Sequence, residues 1–281
     1  MIDIANLDEL IRMALREDVG DGDHSTLACI PSTAQGRAKM VAKKEGVLCG
    51  AEVGERVFHL VDGSLKVTLL KKDGDILKVG DVVMTVEGPA GSILTAERTA
   101  LNYMQRLSGI ATQTHTMVKM IEGLHTRLLD TRKTTPNMRL LEKYAVKCGG
   151  GTNHRIGLSD MIMLKDNHVD FAGGIEQAID RTRDYLSRKG KNLKIEIEVR
   201  SLDELERVMN HGGVDRIMLD NFDVPTLREA VKRIGGRYET EASGGITDET
   251  LRAYAETGVD FISVGALTHH IKSLDLSLVS D

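Results

Sequence analysis

From about residue 126 to 265 the chain repeats a form without repeating a sequence: a short apolar run ending in polar residues, then an amphipathic helical stretch. TRLLD precedes PNMRLLEKYAVKC, DMIMLK precedes GIEQAIDRTRDYL, and LKIEIEV precedes SLDELERVMN; VDRIMLD, YETEAS and VDFISVG continue the series, with VPTLREAVKRI and TDETLRAYAE between them. Strands that alternate with helices pair in parallel, because the helix carries the chain back across the sheet. Six alternations favour closure into a barrel over a doubly wound sheet. The expected fold class is therefore α/β: an incomplete β/α barrel of six to seven parallel strands with a smaller α+β domain at the N-terminus. Boundary chemistry agrees. Ser201 with Glu204 forms a capping box, Pro136 and Pro225 suit a first helical turn, and Gly212 and Gly258 follow helices.

Ahead of the repeat the pattern changes. A short amphipathic helix near Leu7 to Leu15 and an acidic loop lead into GSLKVTLLKKDGDILKVGDVVMTVEG, whose two-residue alternation and Asp-Gly turns predict antiparallel strands. From Thr95 a helical period places Leu101, Met104 and Leu107 on one face and continues toward Met117 and Met120. These patterns divide the chain into an N-terminal α+β domain over 1–107 and a barrel over 108–267, with the tail 268–281 packing on the former. A length of 281 residues accommodates both.

Net charge is −5, tryptophan is absent and aromatic residues make up 3%. That balance argues against a nucleic-acid partner, which calls for a basic footprint and stacking rings. No apolar run approaches the ~20 residues of a membrane span. The segment MIDIANLDELIRMAL carries acids where a signal peptide needs bases, so a cytoplasmic location is expected. Cys29, Cys49 and Cys148 are widely spaced and odd in number, as free thiols in a reducing compartment would be.

In a β/α barrel the segments after the strands build the active site. Here the strand ends supply Asp130, Arg132 and Lys133; Lys165, Asp166 and His168; Glu198 and Arg200; Asp220 and Asn221; Ser243, Gly244 and Gly245; and Gly265. A polar residue at one strand end is ordinary, because strand ends meet solvent. Six polar ends in succession are not. Between Asp130 and His168 there are seven Lys or Arg against four acids. Arg139, Lys143 and Lys147 fall at helical spacing and are expected to form a solvated stripe. Arg132, Lys133, Arg155 and Lys165 remain as a basic mouth for an anion, the arginines suited to forked recognition of carboxylate or phosphate. EASGGIT and ISVGALT place small residues at the last two strand ends, where barrels commonly hold phosphate on backbone N–H groups. Glu198 and Asp220, on adjacent strands, could hold Mg²⁺, ribose hydroxyls or a developing cation. Glu196 lies deeper on the same face and suits a structural ion pair, whereas Asp130 suits a structural or a catalytic role.

Other signals carry less. DVGDGDHST lacks the ligand spacing and terminal Glu of a calcium loop. The histidines at 115 and at 269 to 270 have no metal-site company, and Met117 with Met120 reads as core packing.

At DTRKTTPNMRLLEKYAVKCGGGTNHRIGLSDMIMLKDNH the sequence closely resembles the quinolinate phosphoribosyltransferases. The likeness extends through AERTALNYMQRLSGIAT, IEIEVRSLDE, IMLDNF, EASGGIT and ISVGALT, and into REDVGDGDHST and KKEGVLCGAEVGERVF. The resemblance implies phosphoribosyl transfer from phosphoribosyl pyrophosphate to quinolinate with decarboxylation, giving nicotinate mononucleotide, pyrophosphate and CO₂. By residue it implies a quinolinate-binding cluster of Arg132, His154, Arg155 and Lys165, joined by Arg98 from the neighbouring subunit of a homodimer. Lys133 would stand at the junction of substrate and donor, flanked by Thr131 and Thr134. Glu198 and Asp220 would serve the ribose and Mg²⁺, and Ser243, Gly244, Gly245, Ser263, Val264 and Gly265 the phosphate. Lys133, Glu198 and Asp220 are the expected catalytic residues, with Mg²⁺ arriving with the donor and no organic cofactor. Three rivals are a transferase of nicotinate or another pyridine acid, a Schiff-base aldolase using Lys165 or Lys133, and a catalytically silent binding protein. The number of arginines favours a dicarboxylate, and Glu198 with Asp220 beside the full basic set disfavours the silent protein.

Overall fold

The computed structural model describes residues 6–280, which fall into two compact units that exchange the chain four times. One holds the chain up to His115, Thr134–Gly150 and the stretch from Ala266 on; the other holds Thr116–Lys133 and Gly151–Gly265. In chain order the strands are β1 (Gln35–Ala42), β2 (Gly46–Val47), β3 (Lys66–Leu69), β4 (Ile76–Leu77), β5 (Val82–Pro89), β6 (Arg127–Leu129), β7 (Ile162–Leu164), β8 (Ile195–Val199), β9 (Arg216–Asp220), β10 (Glu239–Ser243), β11 (Phe261–Ser263) and β12 (Leu276–Ser280).

The first unit is built on a sheet of order β12-β1-β5-β3. Its pairs are antiparallel, and the two-residue alternation sends Met40, Ala42, Met84 and Val86 into the core. The tail reaches this sheet through β12, whose Leu276 pairs with Ala42 of β1. Helix Ala51–Val61 lies close to helix Ala90–Met120: a Cβ at Gly54 would stand 2.4 Å from Met104 Sδ. Only glycine permits that approach.

The second unit holds the six repeats as a parallel sheet of order β6-β11-β10-β9-β8-β7. Apart from the wrap from β11 to β6, neighbours in space are neighbours in the chain, which is the order of a barrel and not of a doubly wound sheet. The barrel is incomplete between β6 and β7. There the chain after residue 151 runs beside β6, Thr152 N–H donating to Leu128 O at 2.8 Å and Asp130 N–H to Thr152 O at 3.1 Å.

Helix boundaries follow local chemistry. Ser201 Oγ accepts from Glu204 N–H at 3.2 Å, and Asp223 Oδ1 from Thr226 N–H at 2.8 Å, with Pro225 in the first turn. Pro136 departs from expectation. Asn137 adopts φ 65°, a left-handed conformation that interrupts the helix, which begins at Arg139. The stripe on this helix is solvated only in part: Lys147 is exposed and Arg139 half-buried, but Lys143 is not. Lys143 is 1% exposed, because helix Arg139–Cys148 also buries Leu141, Glu142, Ala145 and Val146, and Glu142 pairs with Arg106 at 2.7 Å. No helix of the described residues is long and apolar enough to cross a membrane.

Candidate active site

The alternation of the parallel strands sorts their side chains into two sets. On β8, Ile195, Ile197 and Val199 bury an apolar face while Glu196 and Glu198 share the other. On that second face charges stack in levels from strand start to strand end. Lowest is Arg216, paired with Glu239 at 3.1 Å and lying 4.3 Å from the Phe261 ring centroid. Above it Glu241, fully buried, meets Arg216 at 3.2 Å and His154 Nε2 at 3.2 Å; Glu196, also fully buried, meets the same Nε2 at 2.9 Å. Burial works against a charged imidazole, but the two glutamates more than offset it and hold His154 up at about 9. Burial and the nearby Glu241 push Glu196 up to about 7. His154 Nδ1 lies 2.6 Å from the Arg155 backbone N and Nε2 faces the two acids, so the charged ring carries a proton on Nε2. A protonated Nε2 has no lone pair for a metal ion.

One level higher the pattern changes. Glu198 is the last but one residue of β8 and Asp220 ends β9, each half-buried. Burial and then Asp220 hold the Glu198 carboxyl above its ordinary range, against the pull of Lys165. Asp220 is likewise raised by burial, against a hydrogen bond from Asn221 and the charge of Lys165. Lys165 follows β7 and brings its ammonium to 3.9 Å from Glu198. Burial and the adjacent Arg132 guanidinium pull Arg155 below the usual arginine range. Arg155 is steadied by Met161 O at 3.4 Å and Met163 Sδ at 3.6 Å. The rim thus holds two arginines against each other on one side and two carboxylates against each other on the other.

Asp130, fully buried at the end of β6, fixes the loop that carries His154 and Arg155. Its carboxylate accepts from His154 N–H at 2.8 Å and Asn153 Nδ2 at 2.6 Å. Its role is structural. Thr131 Oγ1 accepts from Lys133 N–H at 3.0 Å, and Lys133 and Arg132 are exposed. After β10, Gly244 and Gly245 take φ of 97° and 63°. A Cβ on Gly244 would stand 2.1 Å from Asn221 Oδ1, so glycine is required there by space and by backbone. Asn221 N–H donates to Ser243 O at 2.8 Å, and Asn221 Nδ2 donates to Asp220 Oδ2 at 2.6 Å, tying the ends of β9 and β10 together. At the end of β11, Val264 N–H donates to Leu129 O at 3.0 Å, with Ser263 before it and Gly265 after it.

Of the residues singled out in the sequence, the second unit therefore groups Arg132 with Arg155, and Lys165 with Glu198 and Asp220, at one set of strand ends. Ser243, Gly244, Gly245, Ser263, Val264 and Gly265 occupy the last two of those ends. His154 does not point to the rim; its ring turns inward to Glu196 and Glu241. Arg98, exposed on helix Ala90–Met120, and Thr134, whose Oγ1 accepts from Arg139 Nε at 3.1 Å, belong to the first unit. Sequence reasoning overlooked Glu241 and Arg216. The alternation of YETEAS and VDRIMLD puts both on the face of Glu196, and that was the available signal.

Residues 110–279 match the family model described as quinolinate phosphoribosyl transferase, C-terminal domain, and residues 23–108 match its N-terminal domain. The chain is 45% identical over 292 residues to the chloroplastic nicotinate-nucleotide pyrophosphorylase [carboxylating] of Oryza sativa subsp. japonica, covering 98% of this chain and 78% of that protein. It is 44% identical over 272 residues to the probable nicotinate-nucleotide pyrophosphorylase [carboxylating] of Bacillus subtilis (strain 168), covering 97% and 92%. Among solved structures, NadC from Streptococcus pyogenes superposes with a TM-score of 0.94 at 42% identity, covering all of both chains.

Proposed function

Because the chain belongs to the quinolinate phosphoribosyltransferase family, we propose that it transfers the phosphoribosyl group of phosphoribosyl pyrophosphate to the ring nitrogen of quinolinate, releasing pyrophosphate and CO₂ and forming nicotinate mononucleotide, a step of NAD biosynthesis. The observation that carries this reading is the gathering of Arg132, Arg155 and Lys165 at one set of strand ends, a basic set in which the Arg155 guanidinium is pulled down first by burial and then by the charge of its pair Arg132. Such a pair is relieved by a ligand that is itself doubly anionic, as quinolinate is and nicotinate is not.

In this reading Arg132, Arg155 and Lys165 hold the two carboxylates, with Arg98 supplied by a second copy of the chain in a homodimer. His154 acts on that cluster from below, tying the segment that carries Arg155 to Glu196 and Glu241. Lys133, between Thr131 and Thr134, stands where substrate and donor meet. As the anomeric C–O bond breaks, positive charge grows on the ribose, and Glu198 and Asp220 face it with fixed negative charge. The ring nitrogen becomes cationic on transfer and stabilises the electron pair left when CO₂ departs. No covalent intermediate with the protein is required. Ser243, Gly244, Gly245, Ser263, Val264 and Gly265 offer backbone and hydroxyl donors to the donor's phosphate.

Glu198 and Asp220 also fit Mg²⁺. Two oxygen donors whose carboxyls are both held up, one by the other, form a set that a hard cation relieves. When bound with the donor, Mg²⁺ would neutralise the departing pyrophosphate. We place the enzyme in the cytoplasm, in keeping with its free thiols. The deciding experiment supplies quinolinate, phosphoribosyl pyrophosphate and Mg²⁺ to the folded protein and follows nicotinate mononucleotide and CO₂. Nicotinate in place of quinolinate is expected to give little product; equal turnover of the two would assign the protein to the rival monocarboxylate reaction.

A further inference from the structure

Two of the three cysteines, far apart in sequence, meet in the first unit. Cys49, fully buried, lies just before helix Ala51–Val61, and Cys148, half-buried, ends helix Arg139–Cys148. Asp73, in the turn between β3 and β4, joins them: a sulfur from each cysteine and a carboxylate oxygen all lie within 4.8 Å of one another. Two of the three donors are held in place. Ser108 Oγ accepts from Cys49 N–H at 2.9 Å and donates to Cys49 O at 3.1 Å. Asp73 Oδ1 accepts from Ala51 N–H at 2.9 Å and Oδ2 from Tyr144 O–H at 2.9 Å, which leaves each oxygen a further lone pair.

We propose that Cys49, Cys148 and Asp73 form a binding site for one divalent transition-metal ion of the zinc class, with Tyr144 orienting the carboxylate and water completing the fourth position. Thiol pairs also occur as plain packing, since a buried cysteine behaves as a small apolar residue. Packing of two thiols does not by itself bring a carboxylate oxygen within 4.8 Å of both sulfurs. Two sulfurs exclude magnesium and calcium and suit zinc, cobalt or copper; three protein donors and an open position match a four-coordinate zinc geometry. Binding would displace the two thiol protons to solvent and leave both sulfurs as thiolates, with no change of oxidation state.

The test uses the full-length, fully reduced protein with Cys29→Ser, which removes the exposed third thiol. Titration with Co²⁺ alone should give the thiolate-to-cobalt charge-transfer band and the strong visible bands of a tetrahedral site, saturating at one ion per chain and bleached by Zn²⁺. Cys148→Ser carries the test, because its partly exposed position favours retention of the fold, checked by circular dichroism; it should abolish the charge-transfer band or shift it and weaken binding more than a hundredfold. Tyr144→Phe removes only the outer partner and should weaken binding by roughly 10–100-fold. No cobalt uptake by the reduced protein, or a band unchanged by Cys148→Ser, would overturn the proposal. A pair that takes up no metal and closes into a disulfide on mild peroxide treatment would overturn it too, in favour of a redox role.

Discussion

The interior and the rim of the second unit are built from the same residue types and behave oppositely. Glu196 and Glu198 lie two residues apart on β8 and share a face. Glu196 sits among cations and an acid arranged to close on one another: His154 bridges it to Glu241, and Glu241 reaches Arg216. Glu198 stands beside Asp220, as Arg132 stands beside Arg155. Inside, opposite charges are adjacent and the set is self-contained. At the rim like charges also stand side by side, with Lys165 reaching Glu198 only at 3.9 Å, and the arrangement is relieved by a ligand of the complementary pattern. One level of a parallel sheet, about 6–7 Å along the strand, separates a structural network from a ligand site.

The largest effect is expected where the interior set is opened. Glu241→Gln keeps the shape and removes the charge, leaving His154 and Arg216 short of a counter-ion in a dry environment. Removing one partner of a buried pair costs about 3–5 kcal/mol, and denaturant unfolding should show a loss of this size. A loss below 1 kcal/mol would mean that water reaches the interior and that the contrast with the rim is false.

Next comes the rim. Glu198→Gln and Arg132→Ala should each lower kcat/KM by roughly 10²–10³, the scale of one fixed electrostatic group facing a transition state. The unfolding midpoint should hold or rise in Glu198→Gln, because the fold already disfavours that carboxylate's ionised form. Arg132→Ala should raise KM for quinolinate more than for the phosphoribosyl donor. A drop in stability equal to that of Glu241→Gln would erase the distinction between the two levels.

The sequence displayed the rim more clearly than the interior. Glu198, Asp220 and Lys165 follow or end apolar runs, and strand ends are legible because the run stops. The six-strand parallel sheet followed from the same punctuation. The family resemblance groups His154 with Arg155 in the quinolinate cluster, yet a loop has no period, and the two adjacent side chains turn opposite ways. Lys143 shows another limit. A spacing of four marks a helix face but not its exposure, and this helix buries Lys143 while leaving Lys147 of the same stripe exposed. Cys49 and Cys148 lie too far apart for any spacing rule to join them.

The interior set also has a pH signature. His154 is held at about 9 against an ordinary 6.5. With the folded value raised, its contribution is fully present below pH 6.5 and is lost as pH rises through about 9. The free energy at stake is about 3 kcal/mol. Unfolding measured from pH 6 to 10 should therefore show a fall in stability across this window that His154→Gln lacks. A parallel fall in both proteins would assign the pH dependence to other groups.

The smallest expected change lies where rim geometry depends on backbone alone. In Gly244→Ala the added methyl would meet Asn221 Oδ1 at 2.1 Å and Cγ at 2.6 Å, at a φ of 97° that alanine rarely adopts. The strained backbone costs about 1–3 kcal/mol, and displacing Asn221 removes its 2.6 Å hydrogen bond to Asp220. Activity should then fall further than Glu241→Gln lowers it, even though the stability loss is smaller. Pairing Gly244→Ala with Asn221→Ala separates the two causes. If the clash dominates, the double variant regains stability over Gly244→Ala alone; if the backbone dominates, the losses add. Either result locates the rim's rigidity, whereas an unchanged kcat/KM in Gly244→Ala would show that the end of β10 takes no part in binding.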